Sequence, residues 1–527
     1  MLPCTRPSPE PEKQSIEEQN FVTPSTTESQ LLASKSEGKR EFWFVVVVLT
    51  FLYVVTVAIG NRRYVWFDEL CTFEIARSAS LQQLLHRVLT FDCNPPTVYL
   101  LSRGSMSIFG PTSFGLRFPS MLEFYFGSMA ILLYVRRKAG IAFAALAVLL
   151  LWAAAPTLYY AVEARTYALT FLSFACLLLS WDTAVRAQPR LLALFGVAIS
   201  TLFLVVAHVF APFTLFAFIV AEAVRFLRRR KPDYPLWTAL LLPMSAMLIY
   251  LPLISSCGRV VFNVFASFNT IVIFFETTLG VPIISAVLLM ILLIPTGAGS
   301  KTITTRFSSE EVTLLACLFL SPILLNLVLM VRQETFYNRY GLTTQVAIVV
   351  ALSILLPSRM RLNRWAAYAG SILLILFLLK TQVWHIVRYP VPRNAAFLET
   401  IHPDLPLVTE EGQVFMEMNR YENATLLSRL YYLKDPQASM EYEHTNIFQE
   451  FEAPDAMKKA GFPIVANVAP YATFVEQHRQ FLLLGSSVQY VFTKLRLSGA
   501  TIAFVGDYKG NMPYLDTTLY LVTMPSQ

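Results

Sequence analysis

Between Phe42 and Val383 the sequence is divided into apolar runs, each close to the length that crosses a lipid bilayer. A helix needs roughly 20 apolar residues to cover about 30 Å of hydrocarbon, and only helices or closed barrels satisfy their own backbone there. Eleven such runs stand out, at 42–60, 115–134, 141–157, 167–181, 191–207, 209–226, 236–255, 271–294, 312–331, 343–357 and 366–383. The stretch 191–226 is too long for one span, and His208 followed by Pro212 marks its turn. The expected class is a polytopic α-helical membrane protein. Composition agrees: of 527 residues only 15% are charged, against about a quarter in soluble domains.

The net charge of +7 sits in short clusters between the runs. That is a topology pattern, and no nucleic-acid partner is expected. One set of connections holds Arg136, Arg137 and Lys138; Arg186 and Arg190; Arg225, Arg228, Arg229, Arg230 and Lys231; Lys301 and Arg306; and Arg359, Arg361 and Arg364. The alternate set holds Arg165, Arg259, Arg332 and Arg339. The richer set belongs in the cytoplasm. The N-terminus is then cytoplasmic, while the first loop, 61–114, and everything after 384 are extracytoplasmic.

Three parts follow. Residues 1–40, rich in Ser, Glu, Pro, Gln and Thr, read as a disordered cytoplasmic tail. They hold no long apolar stretch, so the run from Phe42 is expected to stay as an anchor. Residues 41–383 form the membrane module, and 384–527 form an extracytoplasmic α/β domain. Within the latter, strand-like runs (Leu405–Thr409, Phe481–Leu484, Thr501–Val505, Leu519–Thr523) alternate with helical patterns (Gln413–Tyr421, Tyr471–Gln480), which suggests some parallel pairing. In the first loop, Leu81, Leu84, Leu85 and Val88 describe a helix suited to lie along the interface.

Candidate chemistry gathers at the expected outer ends. Asp68 and Glu69 follow the aromatic stretch Tyr64-Val65-Trp66-Phe67 directly after the first run. One reading is a solvated loop with a helix cap at Asp68. The other is a carboxylate near low-dielectric lipid whose raised basicity suits deprotonation of an acceptor hydroxyl. The connection from Tyr159 to Tyr167 holds Tyr160, Glu163, Arg165 and Tyr167. As a surface pair, Glu163 and Arg165 would contribute under about 1 kcal/mol. As a site, guanidinium grips phosphate, tyrosine contacts sugar, and carboxylate orients a hydroxyl or a metal. Asn94-Pro95-Pro96 with Tyr99 breaks the first loop and starts a helix. Arg117 opens the second run, and Arg339 with Tyr340 opens the tenth, where an arginine often only snorkels. Glu123 falls inside the second run and needs a partner or a cavity. Cys71 and Cys93 flank the amphipathic segment and are either a disulfide or two free thiols. No residue set has metal-ligand spacing.

In this order and on this topology, the segments Phe67-Asp68-Glu69, Asn94-Pro95-Pro96 with Tyr99, Arg117-Phe118-Pro119-Ser120, Tyr160–Tyr167 and Arg339-Tyr340 resemble the GT-C superfamily of membrane glycosyltransferases. The likeness is to the branch of protein O-mannosyltransferases and lipid A aminoarabinose transferases, and it is best over 42–230. The resemblance implies a polyprenyl-phosphate sugar donor, a glycan, lipid or protein acceptor, an inverted anomeric carbon and a seat in the bacterial plasma membrane. It implies Asp68 as base or acceptor-orienting group, with Glu69 beside it and Glu163 assisting. Arg165, Arg339, Tyr340, Tyr160, Tyr167, Arg117, Asn94 and Tyr99 become candidates for donor phosphate and sugar. No cofactor is certain; a divalent metal at Glu163 and Asp68 is compatible with the superfamily. The absence of an inserted β-trefoil departs from the protein mannosyltransferases and weakens a protein acceptor. The alternative class is a transporter or lipid-linked sugar flippase, which would carry polar residues and broken helices deep in the runs; a receptor leaves the clustered charges unexplained.

Overall fold

The computed structural model describes residues 26–92, 94–154, 157–186, 190–250, 266–280, 307–332, 335–360, 364–388, 395–487, 489–509 and 517–525. The chain divides into two units, Met1–Thr50 and Phe51–Gln527. Helix α1, Thr26–Gly60, contains the apolar stretch Gly38–Gly60, of mean hydropathy 2.7.

In the second unit the first connection is itself helical, with α2 (Phe67–Ala76), α3 (Leu81–Phe91) and α4 (Thr97–Phe109). Then come α5 (Ser113–Ala139), α6 (Ile141–Ala153), α7 (Tyr167–Arg186), α8 (Leu191–Ala207) and α9 (Ala211–Arg229). The described remainder holds α10 (Tyr234–Leu241), α11 (Phe268–Leu279), α12 (Ser309–Arg332), α13 (Leu342–Met360) and α14 (Arg364–Arg388). Every expected apolar run falls at least partly in a helix; the later parts of 236–255 and 271–294 lie outside the described residues. Among the described residues, four helices are long and apolar enough to cross a membrane: Gly38–Gly60, α5, α7 and α12.

Local chemistry sets the breaks. Thr112 caps α5 by accepting from the Gly115 N–H, and the helix ends on Gly140 at φ 87° after Arg136, Arg137 and Lys138, cations that suit a helix C-terminus. The expected turn near His208 is present: α8 stops at Ala207, His208 is extended, and α9 starts at Ala211 with Pro212 in its first turn. The α5–α7 crossing depends on Gly127, where a Cβ would come within 2.7 Å of the Phe171 ring.

After α14 the chain builds a six-stranded sheet in the order β3-β2-β1-β4-β6-β5. Its strands are β1 (Leu407–Thr409), β2 (Leu430–Lys434), β3 (Asn467–Pro470), β4 (Gln480–Gly485), β5 (Thr501–Tyr508) and β6 (Thr517–Thr523). β1 pairs in parallel with β2 and β4, and β2 with β3, while β6 runs antiparallel to β4 and β5. The sequence reading finds four of these strands and misses β2 and β3. Leu-Tyr-Tyr-Leu-Lys lacks clean alternation, and Asn-Val-Ala-Pro is a short edge ending in proline.

One apolar core joins this sheet to the first connection. Phe67, Cys71, Leu84, Val88, Phe91 and Tyr99 pack with Leu407, Phe415, Leu430, Tyr432, Leu482 and Leu519. Here the expectation for α3 needs correction. Leu84, Val88 and Phe91 face the C-terminal segment, and Phe91 meets Phe462 edge-on at 5.3 Å. The Arg87 guanidinium donates twice to the Ala460 carbonyl, at 3.0 and 2.8 Å. Leu81, Leu85 and Leu89 form a second stripe that stays exposed.

Candidate active site

The extended Trp66 delivers the chain into α2, which puts Asp68 and Glu69 in its first turn, where the helix dipole favours anions. These neighbours on one helix have opposite surroundings. Glu69 points inward and is fully buried. Arg117 meets it with both arms, Nε to Oε1 at 2.8 Å and Nη2 to Oε2 at 2.7 Å. Arg63 adds an ion pair at 3.1 Å and the Ala164 N–H donates at 3.0 Å. Burial alone would raise this carboxyl, yet Arg117 and Arg63 hold it below the usual range. Arg117 spends its remaining N–H groups on the carbonyls of Asn61, Arg63 and Tyr64, at 3.0–3.1 Å. All five of its donors are therefore committed. Arg117 and Glu69, read from sequence as phosphate-binding and catalytic, form instead a closed pair that ties α2 to α5.

Asp68 faces the other way. Its carboxylate lies 3.8 Å from Arg165 Nε and 3.6 Å from Arg339 Nη1. Both separations exceed hydrogen-bond length, so the charges face one another across a gap. Arg165 is anchored behind by Asp92 at 2.8 Å. Asp92 in turn accepts from the Asn94 backbone N–H at 2.8 Å and from its Nδ2 at 2.9 Å. Burial opposes ionisation of Asp92, but Arg165 and then its hydrogen bonds keep its carboxyl low. Asn94 thus acts through Asp92, and Tyr99 is fully buried beside it.

Arg339 rests on aromatic faces, 4.3 Å from the Tyr337 ring centroid and 5.5 Å from that of Tyr167. Tyr160 packs on Tyr167 at 5.0 Å, and His208 bridges Tyr167 and Tyr340 at 6.0 and 5.9 Å. Glu163 is buried without a hydrogen bond or ion pair to its carboxyl among the described residues. Burial first, then Glu69 and Asp68, outweigh Arg63 and Arg339 and push it up to about 7. The buried atoms Trp66 Nε1, Thr166 Oγ1 and Arg339 Nε also have no hydrogen-bond partner among the described residues. Unsatisfied buried polar atoms are rare; these three lie on the segments that carry the charges, and others are scattered over the rest of the described residues.

The structure therefore brings together Asp68, Glu163, Arg165, Arg339, Tyr160, Tyr167 and Tyr340. It withdraws Glu69 and Arg117 into structure and gives Asn94 a supporting place. Sequence reasoning missed Asp92, although it lies two residues before the Asn94-Pro95-Pro96 break, and missed the part played by Arg63. It also missed Glu452 of the C-terminal segment, which is electrostatically coupled to Asp68, Asp92, Arg165 and Arg339. Cys71 is a free buried thiol, and Cys93 lies outside the described residues. Among the described residues, no group of three or more His, Cys, Asp or Glu side chains is placed to hold a metal.

No protein-family model matches the sequence, and no curated protein is significantly similar to it. Solved structures do match. Apo ArnT from Cupriavidus metallidurans aligns with a TM-score of 0.53 at 12% identity, over 91% of this chain and 97% of that one. The chain has the ArnT fold. ArnT bound to undecaprenyl phosphate gives a TM-score of 0.50 at 13% identity, over 91% and 98%. ArnT is a GT-C lipid A aminoarabinose transferase, so at the level of fold the likeness seen in the ordered motifs holds.

Proposed function

We propose that this protein is a GT-C-type glycosyltransferase that moves a sugar from a polyprenyl-phosphate carrier to an acceptor at the extracytoplasmic membrane face. The observation that carries the reading is the gap between Asp68 and the two guanidiniums of Arg165 and Arg339, 3.6–3.8 Å wide and built from distant segments. A phosphate leaving group gains negative charge as the glycosidic bond breaks, and fixed guanidiniums stabilise it. Asp68 faces the same space and is the base that takes the acceptor hydroxyl proton. Attack from the face opposite the phosphate inverts the anomeric carbon. Tyr160, Tyr167 and Tyr340 supply the sugar-contacting wall. The ArnT fold, solved elsewhere with undecaprenyl phosphate bound, supports a polyprenyl carrier.

The finer features belong to the same proposal. The chain crosses the bacterial plasma membrane eleven times with its N-terminus in the cytoplasm. Its membrane module is 41–383, and 384–527 forms an extracytoplasmic domain that roofs the site. The test is to incubate detergent-purified protein with a panel of radiolabelled polyprenyl-phosphate hexoses and pentoses. One donor should be consumed, and Arg339→Ala should raise its KM about tenfold or more by loss of a charged phosphate contact. If no donor is consumed, or if Arg339→Ala leaves donor dependence untouched, the reading fails.

A further inference from the structure

Glu452 closes a π-helical turn, Ile447–Phe451, in the C-terminal segment. Such turns recur at functional sites. This one is fixed from several directions. The Phe448 ring meets Phe67 edge-on at 5.4 Å, one residue before Asp68. Gly412 leaves it room, since a Cβ there would come within 2.3 Å of that ring. The Phe448 carbonyl accepts from the Tyr432 hydroxyl, and that oxygen accepts from Gln449 Nε2, both at 3.0 Å. The turn is held, yet the Glu452 carboxyl itself makes no hydrogen bond or ion pair among the described residues, and the residue as a whole is half-buried. The Phe448–Phe67 contact sets this turn beside the start of α2, and the Glu452 charge acts on Asp68 and Cys71 of α2, Asp92 before α4, Arg165 before α7, and Tyr337 and Arg339 before α13.

A charge count shows what such a group can do. The carboxylates of Asp68 and Asp92 already offset the guanidiniums of Arg165 and Arg339. With Glu163 in the same site as a further acid, one more ionised carboxylate would leave the site net negative and repel the phosphate it is proposed to bind. A neutral acid would instead offer an O–H. Resting on the proposed function, we propose that Glu452 is a further phosphate-binding residue, a neutral carboxyl that donates its O–H to a phosphate oxygen of the carrier held by Arg165 and Arg339. Burial first, then Asp68 and Asp92, push this carboxyl up to about 8 against the pull of Arg165 and Arg339. It is therefore protonated at neutral pH, and a bound phosphate favours that state further.

The test is binding of undecaprenyl phosphate to the full-length protein in detergent from pH 6 to 9. Between pH 8 and 9 the other facing groups are quiet. Glu163 has titrated by then, burial lifts Cys71 and Tyr337 above their usual ranges, and the guanidiniums stay charged. Wild-type affinity should fall across this interval, approaching tenfold per pH unit for one lost proton. Glu452→Gln keeps a donor that cannot ionise. It should bind a few-fold more weakly at pH 7 but stay level from pH 8 to 9. Glu452→Ala should lose about tenfold or more at pH 7, with its thermal unfolding midpoint checked to confirm folding. If the wild type does not weaken above pH 8, if Glu452→Gln weakens in parallel with it, or if folded Glu452→Ala binds like wild type, the inference is overturned. If the wild type binds no undecaprenyl phosphate at any pH, the proposed function falls and takes this inference with it.

Discussion

The two ends of α7 carry charge clusters of the same residue types, arranged to opposite effect. At the Arg186 end every carboxylate named here has a close cation. Asp182 takes Lys138 at 3.1 Å and Arg186 at 2.8 Å, and Glu311 takes Arg186 at 2.6 Å together with Lys138. Arg225 joins Glu222 at 2.7 Å to Asp233 at 2.8 Å, and Arg228 holds Glu310 at 2.9 Å. At the Tyr167 end, one helix length or about 30 Å away, Asp68 stands off from its guanidiniums, and Glu163 and Glu452 have no ion-pair partner among the described residues. A saturated cluster fastens helices together; an unsaturated one keeps chemistry in reserve. A cavity of about 340 Å³ lined by Trp181, Asp182, Arg186, Ser308 and Glu311 sits at the saturated end.

The strongest way to break this contrast is Asp68→Asn. A general base typically contributes about 10²–10⁴ in rate, so donor turnover should fall by that factor while the thermal midpoint stays within about a degree. Comparable turnover in wild type and mutant would make Asp68 another structural charge. Its neighbours should respond the other way. Arg117→Met takes the nearer and bidentate guanidinium from the fully buried Glu69 carboxylate and leaves it only Arg63 at 3.1 Å and the Ala164 N–H; breaking a buried pair costs about 3–5 kcal/mol. The variant should unfold many degrees early or fail to accumulate. Arg117→Lys should not rescue it, because three donors cannot fill five places. Wild-type stability in either variant would show that the pair is not the closed structural unit described here.

That pairing also shows where sequence stops informing. Apolar run length locates the helices because the bilayer requires both length and composition of them. The break at His208 and Pro212 is legible for the same local reason. Asp68 and Glu69 are adjacent and both acidic, so no pattern along the chain tells the free carboxylate from the consumed one. Only the helix turn that aims Glu69 at Arg117, 48 positions away, decides it. Arg165 and Arg339 are recognisable as charges at run ends, whereas Glu452 lies in Phe-Glu-Ala-Pro, a stretch with no motif at all. Its place depends on packing Phe448 against Phe67, a contact between distant parts of the chain.

Glu163 sharpens the comparison through pH. Its carboxyl rises from 4.5 to about 7 on folding, so the folded state prefers it protonated. That contribution is fully present below the unfolded value and is lost as pH rises through 7. The two values differ by some 2.5 pH units, which sets an upper bound of about 3 kcal/mol. Glu163→Gln should therefore flatten the decline in thermal midpoint between pH 5 and 8, and at pH 8 it should unfold later than wild type by a few °C. Parallel midpoint curves for the two proteins would mean that Glu163 has an ionic partner after all.

The smallest effect belongs to the saturated end. Arg186 donates to Asp182 and Glu311, but about half of its side chain is exposed (52%). Water screens such a pair, and Lys138 still serves both carboxylates once Arg186 is gone. Arg186→Ala should cost less than about 1 kcal/mol and leave donor turnover unchanged, since the residue lies the length of α7 from the proposed chemistry. A folded Arg186→Ala protein with several-fold lower turnover would show that the two ends are coupled through α7. The saturated cluster would then be part of the working machinery rather than a fastening.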